Sequence, residues 1–187
     1  MAKKQKPSSI LDRLAVFVSQ ESTRPNLMHV VVEAHRAWAT DGHRAHILGH
    51  TQGLPPGCYL NGVRIISTPE MKMPNIDDVM PDAETPVRHT ISAAILADIR
   101  ELVALVRPRT EISLKLGTDG ASVVVGGRFT CCLDDAPQAK LNINLCYLLE
   151  ALDDLDVIDE FEIRAESATG PQRIDRAGNI AVIMPKL

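Results

Sequence analysis

The stretch Trp38–His50, WATDGHRAHILGH, crowds His43, His46 and His50 together with Asp41 and Arg44. Imidazoles and a carboxylate are metal ligands and proton-transfer groups, so chelation and acid–base work are the chemistries these residue types allow. Spacings of three and four positions suit one face of a helix. Asp41–Gly42, however, is a tight-turn pair, and the residues after it read as extended. Side chains alternate along a strand, so His43 and His46 face opposite ways. The stretch therefore reads as a polar turn and strand, either plain surface or a binding element, with no metal ligand and no catalytic residue assigned.

Other chemical motifs are scarce. No nucleophile elbow, phosphate-cradling glycine loop or zinc-protease signature occurs. The pairs Asp77–Asp78, Asp134–Asp135 and Asp153–Asp154 are adjacent in sequence, which sets their carboxylates side by side rather than convergent. A metal-dependent hydrolase or nucleotide-binding enzyme would have to draw on Asp77–Asp78 and the histidine stretch. The preferred reading is a non-enzyme without a cofactor. Cys58, Cys131, Cys132 and Cys146 show no paired metal-site spacing and read as buried free thiols.

Composition narrows the classes further. Aromatic residues are 3% of the chain, so Leu, Ile, Val and Ala must build the core, and an aromatic stacking surface for single-stranded nucleic acid is excluded. A formal charge of -4, from 20 basic and 24 acidic residues, excludes a strongly basic nucleic-acid binder. It leaves room for a local basic patch. With no apolar run of membrane-spanning length and no signal peptide, a cytoplasmic protein is expected and no membrane partner.

The elements that must position these residues follow from periodicity. Ile10, Leu11, Leu14, Phe17 and Val18 predict a helix behind a serine cap, and Pro25 holds Arg24 extended beyond it. Residues 27–34, 35–40 and 43–48 read as strands. Between Thr51 and Pro86 the only convincing strand is 59–66, YLNGVRII, in a proline-rich connection. Helices are predicted over 91–106 and 143–155, each followed by three strands: 110–116, 121–126 and 128–134, then 160–166, 171–176 and 179–185. The pattern is one helix plus about three antiparallel strands, given three times. That predicts an α+β fold of repeated units, with helices on one face of the sheets. Residues 87–187 make a complete two-unit domain, and 8–80 a partial domain with a linker.

These same residues carry a resemblance. SQESTRPNLMHVVVEA (19–34) and WATDGHRAHI (38–47) look like the helix end, strand and turn of the bacterial DNA polymerase III beta subunit, the sliding clamp. MPNIDDVMP (73–81) resembles the segment leading into that subunit's last domain. LNINLCYLLEAL (141–152) resembles its final helix, and AVIMPKL (181–187) its apolar tail. The chain thus resembles a shortened, divergent clamp of phage or plasmid type.

The resemblance implies a DNA-clamp-like fold and a non-enzymatic accessory of DNA replication or repair. Clamps close as rings around duplex DNA, with helices lining the hole, and tether polymerases and repair proteins by a short, mostly apolar peptide. Thr40, Gly42, His43 and Arg44 match one side of the peptide pocket, and Val182, Ile183, Met184 and Pro185 the other. Arg44 is expected to lay its stem along the groove and offer donors at the rim, and Met184 to form an adaptable wall. Ala45 stands where the family usually has a larger apolar residue. Arg100, Arg107 and Arg109, on or just after the helix at 91–106, are the expected DNA contacts. The implied state is a homo-oligomer that encircles DNA. The alternative is a small interaction module derived from the clamp fold that no longer does so.

Overall fold

The computed structural model describes residues 9–65, 72–105, 112–117, 120–125, 129–133, 141–155, 157, 159–167 and 169–185. The chain divides into two units: Met1–Asn75 with Gly178–Ala181, and Ile76–Ala177 with Val182–Leu187.

In the first unit, helix α1 (Ile10–Leu14) starts where the serine signal puts it. The Ser9 hydroxyl accepts the Asp12 N–H at 3.2 Å, and the Gln52 side chain accepts the Ile10 N–H at 3.3 Å. Two of the donors a helix start leaves over are thereby satisfied. The helix tightens into a 3₁₀ turn, Ala15–Phe17. Ile10, Leu14 and Phe17 fall on one face and are buried. Strands β1 (Val30–Val32), β2 (Ala37–Thr40), β3 (Arg44–Leu48), β4 (Gly57–Leu60) and β5 (Val63–Ile65) follow. Their order is β5-β4-β1-β2-β3, every pairing antiparallel. Val30, Val32, Ala37, Ala39, Leu48 and Tyr59 close the core against the helix.

One expectation is corrected here. The single strand at 59–66 is the middle of a hairpin, β4 and β5, reversed at Asn61 and Gly62. Both turn residues have positive φ, 49° and 79°. Asn-Gly is the pair that adopts this conformation at least cost.

The second unit holds β6 (Val87–Ile91), α2 (Ala93–Leu105), β7 (Ile112–Gly117), β8 (Gly120–Val125), β9 (Phe129–Leu133), β10 (Leu141–Asn144) and α3 (Leu145–Asp154). After these come β11 (Phe161–Arg164) and β12 (Gln172–Arg176), and β13 (Asn179–Ile183) ends the described strands. Caps start both helices: Ser92 Oγ accepts the Ile95 N–H and Asn144 Oδ1 accepts the Cys146 N–H. Ile95, Leu96 and Ile99 are the buried face of α2; Leu145, Leu148, Ala151 and Leu152 that of α3.

Strands β6 and β10 are a second correction, since both segments read as loop or helix start in the sequence. Each precedes a helix and is exchanged between repeats. Strand β6 pairs with β11 of the second repeat, and β10 pairs with β7 of the first. The fold is α+β with antiparallel sheets, as the repeat pattern predicts.

Candidate functional site

Thr40 ends β2 and Arg44 opens β3, so Asp41–His43 make the reversal. Thr40 Oγ1 donates to the Arg44 carbonyl at 2.7 Å and accepts the Gly42 N–H at 3.1 Å. Asp41 Oδ1 accepts the N–H groups of His43 and Arg44, at 2.8 and 3.0 Å. Gly42 sits at φ +88°, where a side chain is strained. The turn is therefore fixed by side chains of its own sequence, as short polar residues do in tight turns.

Arg44 does not lie along a rim. Its side chain is 8% exposed and turns inward, with Nε on Asp41 Oδ2 at 3.2 Å and Nη2 on the Val16 carbonyl at 3.1 Å. Its guanidinium lies 4.9 Å from the Phe17 ring centroid, in cation–π range. Thr40 is buried as well, whereas Gly42 and His43 are exposed.

The three histidines separate. His46 is fully buried, its ring 4.6 Å from that of Phe17, while His43 and His50 are exposed. Among the described residues no group of three or more His, Cys, Asp or Glu is arranged to hold a metal ion.

Sequence reading missed Arg24 and Leu27. The 3₁₀ turn Pro25–Leu27 carries both to the back of Gly42. Arg24 Nη1 donates to the Asp41 carbonyl at 3.4 Å, and Arg24 also pairs with Glu21 at 3.1 Å. A Cβ on Gly42 would stand 3.1 Å from Arg24 Nη1 and 3.5 Å from Leu27 Cδ1. The available signal was Pro25, which starts a tight turn as readily as it ends a helix.

In the second unit, Val182 and Ile183 end β13 buried, and Pro185 is half-buried. Met184 is 39% exposed. This is an apolar segment with one flexible side chain in solvent. Arg100 on α2 is committed to α3, donating to Asp153 Oδ1 at 2.7 Å and to the Val157 carbonyl at 3.1 Å. Arg107, Arg109 and the pair Asp134–Asp135 lie outside the described residues, as do the side chains of Cys131 and Cys132. Asp77 and Asp78 form an exposed 3₁₀ turn. Cys58 is buried, and burial pushes its thiol pKa up. Cys146 is exposed on the first turn of α3, which corrects the expectation that it is buried. No helix of the described residues is long and apolar enough to cross a membrane.

No family model matches the sequence, and no curated protein matches it. Solved structures do match. The beta sliding clamp of Caulobacter crescentus superposes with a TM-score of 0.69 at 17% identity, over 95% of this chain and 62% of that one.

The chain has the sliding-clamp fold.

The DNA polymerase sliding clamp of Pseudomonas aeruginosa gives a TM-score of 0.68 at 15% identity, over 95% and 62% of the two chains. The DNA polymerase III beta subunit of Bartonella birtlesii, solved with griselimycin, gives 0.67 at 18%, over the same shares. The chain thus spans about three fifths of the length of the sliding clamps it matches.

Proposed function

We propose that this chain is a non-enzymatic accessory of DNA replication or repair that tethers a polymerase or another partner through a short, mostly apolar peptide. The carrying observation is the Thr40–Arg44 turn, held by five hydrogen bonds of Thr40 and Asp41 on a sliding-clamp scaffold. A rigid polar turn is suited to capturing a peptide, because little order must be gained on binding. On this reading Thr40, Gly42, His43 and Arg44 belong to the peptide site, with Gly42 and His43 exposed and Thr40 and Arg44 buried behind them. So do Val182, Ile183, Met184 and Pro185, with exposed Met184 as its adaptable apolar element. The protein acts in the cytoplasm as a homo-oligomeric ring around duplex DNA.

A second reading is favoured by Arg100, whose guanidinium is engaged by Asp153 and Val157. There the chain is a smaller interaction module that keeps the peptide surface and does not encircle DNA.

Two measurements test the proposal. Light scattering across a concentration series gives the mass: a discrete closed oligomer supports the ring, and a monomer leaves the module. Fluorescence anisotropy with a labelled apolar peptide tests tethering. Met184→Glu abolishes binding while leaving the circular dichroism unchanged. Equal affinity for wild type and Met184→Glu would remove Met184 from the peptide surface.

A further inference from the structure

We infer that Asp41, Arg44 and Phe17 form a positioning lock for the Thr40–His43 turn, and that Arg44 acts on a bound peptide only through that lock. The lock stands on the geometry of the first unit alone; its ligand, an apolar peptide, rests on the tethering reading above.

The carboxylate of Asp41 has two tasks, one per oxygen. Oδ1 holds the N–H groups of His43 and Arg44, and Oδ2 holds Arg44 Nε. The orientation that presents Oδ1 to the turn is thus set by the guanidinium on Oδ2. The guanidinium is in turn tied to the 3₁₀ turn that follows α1 by the Val16 carbonyl and by the buried Phe17 ring. The Val16 carbonyl is one of the acceptors that a short helix end leaves over.

Swinging Arg44 outward to meet a peptide would strip the Asp41, Val16 and Phe17 contacts at once. It would leave the Asp41 carboxylate, 16% exposed, without its cation. A truncated partner in such a pair costs more than an exposed one, because the remaining charge stays poorly solvated. The exposed residues of the turn are Gly42 and His43, while Thr40 and Arg44 are buried. Arg44 is a positioning residue, and the 3₁₀ turn after α1 and the Thr40–His43 turn form one mechanical element.

The test uses the full chain, with a fluorescein-labelled, mostly apolar hexapeptide as probe. Arg44→Met, Asp41→Ala and the double variant are compared with wild type by anisotropy and by amide hydrogen exchange at positions 43 and 44. Under the lock, either single change speeds exchange at the turn about tenfold and weakens the peptide by about three- to tenfold. The double variant is no worse than Asp41→Ala alone, as expected for two members of one device. Arg44→Lys, which keeps the charge but loses the fork, falls between wild type and Arg44→Met and carries the test if Arg44→Met fails to fold.

Weaker peptide binding by Arg44→Met with unchanged exchange would overturn the inference and make Arg44 a direct contact. Unchanged exchange in Asp41→Ala would overturn the lock itself. A wild type that ignores the peptide, with exchange responding as stated, upholds the lock and overturns its role in binding together with the tethering reading.

Discussion

A Cβ placed on Gly49 would overlap the carbonyl oxygen of Gly178, the residue that leads into β13. The Gly49 N–H also donates to Asn179 Oδ1 at 3.2 Å, so two backbone segments far apart in sequence are seated on each other at van der Waals range. Only a residue without a side chain permits that approach. Gly49→Ala must push backbone aside, and a destabilisation of about 1–3 kcal/mol is expected, as for other overpacked sites. Urea unfolding measures it. An unchanged midpoint would show that the two segments separate without cost.

Leu14 is fully buried among Ile10, Phe17 and the β1–β2 side chains of the first unit. Leu14→Ala removes packed atoms from the helix face that closes this core, and about 2–5 kcal/mol of stability goes with them. The single tryptophan, Trp38, is buried in the same unit and its indole N–H donates to Glu33 at 2.8 Å. Its fluorescence therefore follows the unfolding. A loss below about 1 kcal/mol would mean that the site collapses onto the cavity.

Gly42→Ala tests the turn separately from the groups that bind. Its φ of +88° disfavours a side chain, by about 1–2 kcal/mol. A Cβ there would also crowd Arg24. Modest destabilisation is expected, with a larger loss of affinity for the labelled peptide than of stability. Peptide affinity equal to wild type would exclude the Gly42 face from the bound surface.

His29 gives the pH dependence a definite sign. Burial lowers its pKa from the ordinary histidine value near 6.5, and a hydrogen bond to the Pro25 backbone offsets this in part. Below about pH 6.5 the unfolded chain binds a proton at His29 that the native state refuses. Its contribution to stability is therefore fully present above that pH and is lost as the pH falls towards the folded value. Unfolding free energies at pH 7.5 and 5.5 should differ more for wild type than for His29→Gln. The same difference in both proteins would assign the pH dependence to other groups.

The elements that local pattern controls were legible in the residues. Ser9 caps a helix, the stripe Ile10–Leu14–Phe17 faces a core, and Asp41–Gly42 turns one strand into the next. The turn chemistry of Thr40 and Asp41 is local too, since each side chain bonds backbone within four residues. Helix period, caps and turns depend on neighbours in sequence, so the order of residues is enough to specify them.

What the chain order did not reveal depends on distant partners. Strands β6 and β10 are short and run straight into helices, and their strand character comes from pairing with β11 and β7. His46 and Arg44 read as polar surface, yet Phe17, a residue of the preceding helix face, draws one ring and one guanidinium inward. Arg24 and Leu27 back the turn because a 3₁₀ turn at Pro25 carries them there. Burial, cation–π contact and strand exchange are fixed by which surfaces meet, and that is decided only when the tertiary structure forms.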